Sequence, residues 1–372
     1  MTLDAEVQRA VTAPPDGGHE LLEVDGLTIH YPGRGGWLGR GAPIKAVDGV
    51  SLRIGRGQTL GLVGESGSGK STTARAILQL RRPTSGHVRF QGTDLTRLKG
   101  ERLRRIRRDL QFIAQDPKSS LDPRMRIANI IAEPLVVHGL GSRPEREAQV
   151  LQLLELVGLP RSVLGGHPRQ FSGGQLQRVA IARALALGPA LIICDEPVSS
   201  LDVSIQAQII NLLLDLQTRL SHSYLFISHD LAVVRQVADT IAVMYLGRLV
   251  EMARRDVLLA DSLHPYTVAL VSAVPPPDPI AGGRERPVLA FGEPADPAHP
   301  PSGCHYHPRC PIARARCKTD DPPFREAKPG QWVACHYPGE LKAALSGGLS
   351  AVPATSPAPA PPAAPPREER IT

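Results

Sequence analysis

The sequence predicts an α/β fold, and three observations support that prediction. Segments typical of strands and of helices alternate from residue 21 to about residue 260. A glycine-rich turn joins an apolar strand to a helix near residue 64. A second apolar strand, in the stretch "LIICDEP", ends in two adjacent acids, Asp195 and Glu196. The 372 residues are enough for one large domain or two ordinary ones with a substantial core.

Composition and charge limit the class of protein. Hydrophobic residues make up 42% of the chain, and the formal net charge is +7. Such a charge suits nucleic acid, an anionic membrane surface or phosphate ligands, and is equally compatible with no specific ligand. No uncharged apolar run approaches the roughly 20 residues of a membrane span, and the N-terminus lacks the apolar core of a secretory signal. We therefore expect a cytosolic protein in a reducing compartment.

Four regions are predicted along the chain. Residues 1–20 are expected to be a disordered lead, and residues 21–260 form the α/β domain. Residues 261–340 are Pro-rich, poor in periodicity and hold four of the five cysteines. Residues 341–372 are a low-complexity tail rich in Pro and Ala, which has no means of burying a core.

The turn after the first apolar strand has the spacing of a phosphate-binding loop. Gly64, Gly69, Lys70 and Ser71 satisfy the pattern G-x-x-x-x-G-K-[ST]. The glycines let successive backbone N–H groups face phosphate oxygens, and the helix N-terminus adds its positive end. We expect Lys70 to reach the β- and γ-phosphates of ATP and the Ser71 hydroxyl to bind Mg²⁺. The predicted ATP contacts of this segment are Gly64, Glu65, Ser66, Gly67, Ser68, Gly69, Lys70, Ser71 and Thr72.

The two acids at residues 195 and 196 complete the predicted site. Asp195, at the strand tip, is placed for the Mg²⁺ shell. Glu196, next to it, is placed to polarise a water that attacks the γ-phosphate. An apolar run followed by Asp-Glu is weak evidence alone, but it follows a phosphate loop in the same domain.

A second anion-binding helix start lies in "FSGGQLQRVAIARALA". Ser172 is a predicted helix cap, and Gly173 and Gly174 expose backbone N–H groups ahead of the helix. One nucleotide has no need of two such loops within a single domain. This loop is therefore predicted to serve the nucleotide of another subunit.

Together these motifs resemble the ATP-binding cassette (ABC) ATPases. The SGGQ motif matches at residues 172–175, Gln115 in "FIAQDP" resembles the Q-loop, and His229 in "YLFISHD" resembles the switch histidine. Tyr31 in "LTIHYP" resembles the aromatic residue that stacks on adenine. The D-loop matches at Ser200, Leu201 and Asp202. The resemblance implies a RecA-like core with an antiparallel β subdomain and a helical subdomain.

The resemblance also implies roles. Two such ATPases pair head to tail and trap two ATP molecules between them. Glu196 is then the general base, His229 contacts the γ-phosphate, and Gln115 touches Mg²⁺ or the attacking water and senses the transport partner. The residues expected to close on the partner's ATP are Ser172, Gly173, Gly174 and Gln175.

Simpler interpretations of some residues stay open. Tyr31 could be a half-exposed strand aromatic, and His229 could merely cap a strand end. The basic stretch at residues 97–108 could bind nucleic acid, but a solvated helix face is favoured because no aromatic platform accompanies it.

The chain continues past residue 260, where a bare cassette would end. "LHPYTVALVSAVPPPDP" and "PPSGCHYHPRCPIARARC" resemble the C-terminal extension of the oligopeptide/dipeptide importer ATPases, and the chain resembles the second ATPase of such a pair. The resemblance implies a second, related ATPase, two membrane permease subunits and, indirectly, an extracytoplasmic substrate-binding protein, with the chain at the cytoplasmic face of the inner membrane. No nucleic-acid partner is expected. Ala114 and Lys118 depart from the subfamily pattern where such ATPases contact the membrane subunit.

Peptides are the expected cargo, although related importers carry nickel chelates, sugars or opines. Two other functions remain as alternatives. One is a soluble ABC ATPase acting on nucleic acid or ribosomes, and the other is a regulatory module whose metal site senses redox state.

The four clustered cysteines predict a metal site. Cys304, Cys310, Cys317 and Cys335 suit a [4Fe–4S] cluster or a zinc site, and a metal-free group of buried thiols is the alternative. The resemblance favours the iron–sulfur cluster. Possible alternative ligands are His305, His307 and His336. We expect the site to be structural, to lie apart from the nucleotide and to take no part in hydrolysis. The fifth cysteine, Cys194, is predicted to be a small core residue.

Overall fold

The computed structural model describes residues 20–33, 41–274 and 295–346. The predicted lead, up to residue 19, and the tail from residue 347 onward lie outside these described residues. Within them, no helix is both long and apolar enough to cross a bilayer.

Two sheets form the framework. The strands are β1 Leu22–Gly33, β2 Gly41–Ile54, β3 Thr59–Val63, β4 Ser85–Phe90, β5 Thr93–Asp94, β6 Leu110–Ile113, β7 Leu191–Asp195, β8 Ser223–Ser228, β9 Thr240–Tyr245, β10 Arg248–Arg254, β11 Arg325–Lys328 and β12 Gln331–Val333. One sheet is four-stranded in the order β2-β1-β4-β5, and the other is eight-stranded in the order β11-β12-β10-β9-β3-β8-β7-β6.

The centre of the larger sheet is parallel. β3 pairs in parallel with β8 and β9, β7 with β8, and β6 with β7. Every residue of β3, β7 and β8 is buried, as expected for strands covered on both faces. The carboxyl ends of β3, β8, β7 and β6 therefore meet at one edge, which is where ligands bind in open α/β sheets.

The helices cover this sheet. They are α1 Lys70–Ile77, α2 Gly100–Ile106, α3 Pro117–Ser120, α4 Ile127–Val137, α5 Arg143–Leu156, α6 Gly173–Leu185, α7 Val203–Leu220, α8 Leu231–Val237, α9 Arg255–Ala260, α10 Pro265–Ser272, α11 Ala315–Thr319 and α12 Glu340–Ser346. Helices α3 to α6 pack on one another between β6 and β7 and form the helical subdomain.

Two hydrophobic clusters lie on opposite faces of the larger sheet. Alternate residues of β7 supply them: Ile192 and Cys194 belong to one cluster, Leu191 and Ile193 to the other. Cys194 is completely buried, which confirms its predicted place in the core.

The small antiparallel sheet is fixed to the larger one beside the phosphate loop. The Asp48 N–H of β2 donates to the Gly247 carbonyl, at 2.8 Å, and the Gly247 N–H donates to the Ser68 carbonyl, at 2.9 Å. The turn between β9 and β10 thus joins β2 to the loop that follows β3.

The described residues of the C-terminal segment, 261–274 and 295–346, add buried side chains to the clusters of the cassette. Its strand β12 pairs with β10 and so continues the cassette's sheet. Tyr306 belongs to one cassette cluster and Trp332 to the other. The tail predicted from residue 341 starts too early, because α12 continues to Ser346 and Leu341 is buried.

A buried carboxylate on β10 ties the two regions together. Glu251 is fully buried and accepts hydrogen bonds from the Leu263 N–H at 2.9 Å, the His264 N–H at 2.8 Å and Gln331 Nε2 at 3.0 Å. Burial raises the pKa of this carboxyl above its usual value, although these donors oppose the shift. All three donors lie beyond residue 260.

Candidate active site

The phosphate loop runs from the end of β3 to the start of α1. A Cβ on Gly64 would lie 2.1 Å from the Met244 carbonyl oxygen, and one on Gly69 would lie 2.3 Å from the Ala46 carbonyl oxygen. Both residues also have positive φ, at 156° and 107°. Because neighbouring backbone closes on the loop at both points, glycine is required there for steric reasons.

Lys70 lies inside this loop. Its side chain is 4% exposed, and Nζ donates to the Gly64 carbonyl at 2.7 Å and to the Glu65 carbonyl at 2.8 Å. Burial lowers the pKa of Lys70, while the carboxylates of Glu196, Asp195 and Glu65 raise it. The ammonium is thus held inside the loop by two of its carbonyl groups, at the position that the phosphate-loop pattern gives an ATP-binding lysine.

Two of the three predicted Mg²⁺ ligands are in contact. Ser71 Oγ donates to Asp195 Oδ1 at 2.8 Å, and Asp195 is 2% exposed. Burial raises the pKa of the Asp195 carboxyl, with the Ser71 bond opposing the shift. A hydroxyl beside a carboxylate is the kind of hard oxygen pair that Mg²⁺ takes, so these residues fit the ion. Gln115, the third predicted ligand, instead bonds Glu196.

The three predicted catalytic residues meet at one oxygen. Glu196 Oε2 accepts a hydrogen bond from Gln115 Nε2 at 2.9 Å and lies 3.2 Å from His229 Nδ1. These side chains follow the carboxyl ends of β6, β7 and β8, so the parallel strands alone bring them together. The Glu196 backbone has a positive φ of 48° and is held by its N–H bond to the Ile227 carbonyl, at 2.9 Å. Such strain in a non-glycine residue is typical of functional sites.

Tyr31 lies on the small sheet, opposite Ile44 of β2. Ile44 is two residues from Ala46, which contacts the phosphate loop. The Arg81 guanidinium lies over the Tyr31 ring, 4.7 Å from its centroid. The ring is therefore near the predicted site but already carries a cation on one face, which the sequence did not indicate.

The predicted signature loop begins α6. Ser172 Oγ accepts from the Gln175 N–H at 3.3 Å, and Gln175 Oε1 accepts from the Ser172 N–H at 3.0 Å, forming a capping box. Ser172 is exposed. Leu201 of the D-loop lies 3.1 Å from where a Cβ of Gly173 would be, and its neighbours Ser200 and Asp202 are exposed. The two motifs thus share one open surface.

One contact of the phosphate loop was missed by sequence reasoning. Arg309, in "CHYHPRC", forms a two-pronged ion pair with Glu65: Nη1 lies 2.8 Å from Oε2 and Nη2 lies 3.0 Å from Oε1. Tyr266 Oη of α10 accepts from the Glu65 N–H at 2.9 Å. The segment that holds the four cysteines (residues 304–335, the cysteine segment) therefore contacts the phosphate loop through Arg309, whereas the sequence led us to expect the cysteine site to lie apart from the nucleotide. The two residues are 244 positions apart, and no local pattern links them.

The four clustered cysteines line one small cavity. His307 and His336 line it too, whereas His305 faces a different and larger cavity. Burial, and then the neighbouring cysteines, raise the pKa of Cys310 and of Cys335 to about 12. In the described ranges, no group of three or more His, Cys, Asp or Glu side chains is arranged to hold a metal ion.

Comparisons with known proteins identify the family. Residues 47–199 match the family model described as ABC transporter, and residues 250–317 match the one described as oligopeptide/dipeptide transporter, C-terminal region. The oligopeptide transport ATP-binding protein AppF of Bacillus subtilis (strain 168) is 48% identical over 318 residues, which is 85% of this chain and 97% of that protein.

The chain belongs to the ABC transporter family. The probable peptide ABC transporter ATP-binding protein y4tS of Sinorhizobium fredii is a further relative, 49% identical over 87% of this chain and 92% of its own length. The dimeric structure of the ATP-binding cassette MJ0796 in a post-hydrolysis state, bound to ADP and Pi, is 31% identical with a TM-score of 0.57, and covers 63% of this chain and 98% of that one. The predicted cassette fold and the predicted family are confirmed, and the chain is an ATP-hydrolysing transporter subunit.

Proposed function

We propose that this chain is one of two ATPase subunits that power the uptake of peptides through a pair of membrane permease subunits. The observation that carries the proposal is the meeting of Gln115, Glu196 and His229 at one carboxylate oxygen, in a chain whose residues 250–317 match the oligopeptide/dipeptide transporter model. The names of the relatives support peptides as the cargo, and a position at the cytoplasmic face of the membrane is part of the proposal.

The ATP site works through groups that are already in place. Lys70 exchanges its carbonyl partners for phosphate oxygens, and the Gly64–Gly69 turn presents its N–H groups to the same anions. Mg²⁺, when bound, neutralises phosphate charge, and Ser71 and Asp195 are the residues that would hold it. Glu196 orients and polarises the attacking water, while His229 and Gln115 hold its carboxylate in position.

A second ATPase subunit completes each site in this proposal. The loop from Ser172 to Gln175 begins α6 with a capping box and lies beside the D-loop on an open surface. Such a helix start favours an anion. Because the phosphates of this chain's own ATP lie at the Gly64–Gly69 turn in this proposal, the anion at Ser172 belongs to the partner's ATP. The structure of the cassette MJ0796 is dimeric, which supports the pairing of two cassettes.

A groove between the core and the helical subdomain is the proposed permease contact. It encloses about 350 Å³ and is lined by residues that include Phe112, Pro134 and Val137. Val136 and Val137 are about half exposed, at 54% and 51%. Adjacent exposed valines at the end of a helix suit docking by an apolar helix of a membrane subunit. Ala114 and Lys118, which depart from the subfamily pattern, lie close by in sequence and would adapt the groove to one partner.

The nucleic-acid alternative loses support from the basic stretch. Arg104 and Arg105 pair with Glu101, and Arg107 donates to the Leu78 carbonyl at 3.0 Å. These contacts commit the cations to the protein's own surface and leave fewer of them for phosphates.

We further propose a structural [4Fe–4S] cluster on Cys304, Cys310, Cys317 and Cys335. Support comes from the one cavity that all four line and from the nature of the segment, which is built of short pieces without a core of its own. The raised pKa values of Cys310 and Cys335 favour neutral thiols in the cavity, so a bound metal would have to offset the cost of forming thiolates there. Zinc is the runner-up, with His307 or His336 able to replace one cysteine.

Reconstitution tests the main proposal. The chain should be co-purified with its natural permease and ATPase partners, placed in proteoliposomes with the binding protein, and supplied with labelled di- and oligopeptides. ATP-dependent uptake of peptide, lost in the Glu196→Gln complex, is expected. Uptake of nickel chelates, sugars or opines in place of peptides would show that the cargo assignment is wrong. ATPase activity stimulated by nucleic acid rather than by the permease would overturn the proposed transport function.

Metal analysis tests the cluster separately. Protein purified without oxygen is expected to be brown and to contain about four irons per chain. One zinc per chain would make zinc the metal, and no metal in such protein would defeat both assignments.

A further inference from the structure

The Arg309 side chain is built into the protein rather than placed on its surface. It is 8% exposed, and its guanidinium lies 5.8 Å from the ring centroids of both Tyr245 and Tyr306. Tyr245, Tyr266 and Tyr306 also contact one another, with centroids 4.8 to 5.4 Å apart. These rings come from β9, α10 and the cysteine segment, so three parts of the chain fix the direction in which Arg309 points.

The carboxylate that Arg309 meets belongs to the phosphate loop. Glu65 is 28% exposed, is bonded through both carboxylate oxygens to Arg309, and bonds Tyr266 through its backbone N–H. Its carbonyl accepts from Lys70 Nζ, and its carboxylate is close enough to act on the Lys70 charge. A negative charge therefore lies within a loop whose task is to bind a polyanion.

Without a partner, that charge would oppose ATP. Like charges repel, and the repulsion is stronger where one of them is partly shielded from water. The paired guanidinium cancels the charge, and its fork geometry also fixes where the carboxylate lies. Among the described residues, Arg309 is the one whose ion pair with Glu65 has this geometry.

We propose that Arg309 is a positioning residue for ATP binding, which neutralises and anchors Glu65 so that the C-terminal segment sets the ATP affinity of the phosphate loop. The proposal rests on the ATP site described above and adds to it a residue outside the cassette motifs. It concerns binding rather than chemistry, because Arg309 touches Glu65 and not the residues around Glu196.

The position of Arg309 also connects the phosphate loop to the cysteine cavity. Arg309 ends the short 3-10 helix His307–Arg309, directly before Cys310. The Cys304 N–H donates to the Cys317 carbonyl at 2.9 Å, which closes the same segment. Any change that loosens the cysteines thereby loosens the guanidinium that holds Glu65.

Binding of ATP to the purified full-length chain, together with KM and kcat in the complex, tests the proposal. Arg309→Ala is expected to weaken ATP binding about tenfold and to raise the KM for ATP by the same factor. The kcat at saturating ATP should stay within about twofold of wild type. The double variant Glu65→Gln/Arg309→Ala removes the repelling charge and is expected to recover binding to within about threefold of wild type. Lys70→Ala, measured alongside, confirms that the assay reports the phosphate loop.

Arg316→Ala is the matched control. Arg316 directly precedes Cys317 as Arg309 precedes Cys310, but it pairs with the exposed Asp320, 3.2 Å away. The Arg316→Ala variant should bind ATP with the same affinity as wild type. Should Arg309→Ala not fold, Arg309→Gln is read by the same criteria. Two results would each overturn the proposal: an Arg309 variant that binds ATP within twofold of wild type, or a loss that the double variant does not restore.

Discussion

The carboxyl edge of the central sheet and the cysteine segment both gather functional side chains from distant parts of the sequence, but they do so by different means. At the edge, four neighbouring parallel strands end together, and the residues that follow them meet because the strands are paired. In the cysteine segment, short helices and turns converge on one cavity without a sheet or core of their own. Strand pairing fixes the first arrangement, whereas the second is held by the pairing of β12 with β10, by packing of Tyr306 and Trp332 against the cassette and by the ion pair of Arg309 with Glu65.

Because of this difference, substitutions in the two regions should have different effects. A change at the edge should alter chemistry while the fold remains, because the backbone there is fixed by buried strands. A change at a cysteine should alter order first and chemistry only through the contact between Arg309 and Glu65.

Glu196→Gln should give the sharpest separation of chemistry from binding. Removing the carboxylate charge leaves nothing to polarise the water, so turnover should fall roughly 10²-fold or more. ATP binding should persist, and a closed dimer should accumulate with ATP. Single-turnover kinetics and gel filtration with ATP measure both effects. Near-normal hydrolysis would show that another group is the base.

Lys70→Ala should weaken ATP binding by roughly 10- to 100-fold, because it removes a charged donor from the phosphates. The thermal transition should change little, since the side chain bonds only loop groups. Nucleotide titration and melting are the measurements. Unchanged ATP affinity in a folded variant would mean that the site lies elsewhere.

Ser172→Arg should act on the partner's ATP rather than on this chain's own. The bulky cation at the exposed helix start should impair hydrolysis at the partner's phosphate loop about tenfold, by hindering closure. ATP binding to the mutant chain itself should be unaffected. A mixed dimer carrying one altered subunit reports each site separately. The opposite pattern, with own-site binding lost first, would overturn the assignment in trans.

Cys310→Ser tests the link between the two regions. We expect the proposed cluster to be lost and ATP affinity to fall by no more than in Arg309→Ala, because the serine variant disturbs Glu65 only through the preceding arginine. Metal content and ATP titration on the same preparation are the readouts. Lost metal with a greater loss of ATP affinity than in Arg309→Ala would contradict this route of coupling.

Cys194→Ser should have the smallest effect of these substitutions on metal content and ATP affinity. Cys194 is a completely buried core thiol on β7, away from the cysteine cavity. The change should leave metal content unchanged and cost about 1–3 kcal/mol of folding stability for burying a hydroxyl. Denaturant melts and metal analysis provide the check, and any loss of metal would show that the fifth thiol takes part in the site.

Most of the edge could be predicted from the sequence, because its catalytic residues Gln115, Glu196 and His229 each lie within two positions of a strand end. Asp195 ends β7, Glu196 follows it, and His229 follows β8. Spacing along the chain therefore carries the geometry. The motifs place Gln115, Glu196 and His229 in one site, but they do not show that Gln115 and His229 both contact the same oxygen of Glu196.

The remaining contacts depend on tertiary packing and leave no mark on local sequence. The ion pair of Arg309 with Glu65 joins residues 244 positions apart. The position of Arg81 over Tyr31 is equally invisible in the sequence. The pairing of β12 with β10 places a three-residue strand in a Pro-rich region, where the cassette's sheet overrides a weak local preference.

The buried carboxylate of Glu251 makes residue 260 a poor place to divide the molecule. A chain shortened to end there would keep the acid on β10 but lose the three donors that satisfy it, and it would expose the strand edge that β12 covers. An unsatisfied buried acid and an open edge favour misfolding and intermolecular pairing. The cassette and its extension should therefore melt in a single cooperative transition. Residues before and after position 260 form one folding unit and should be expressed together.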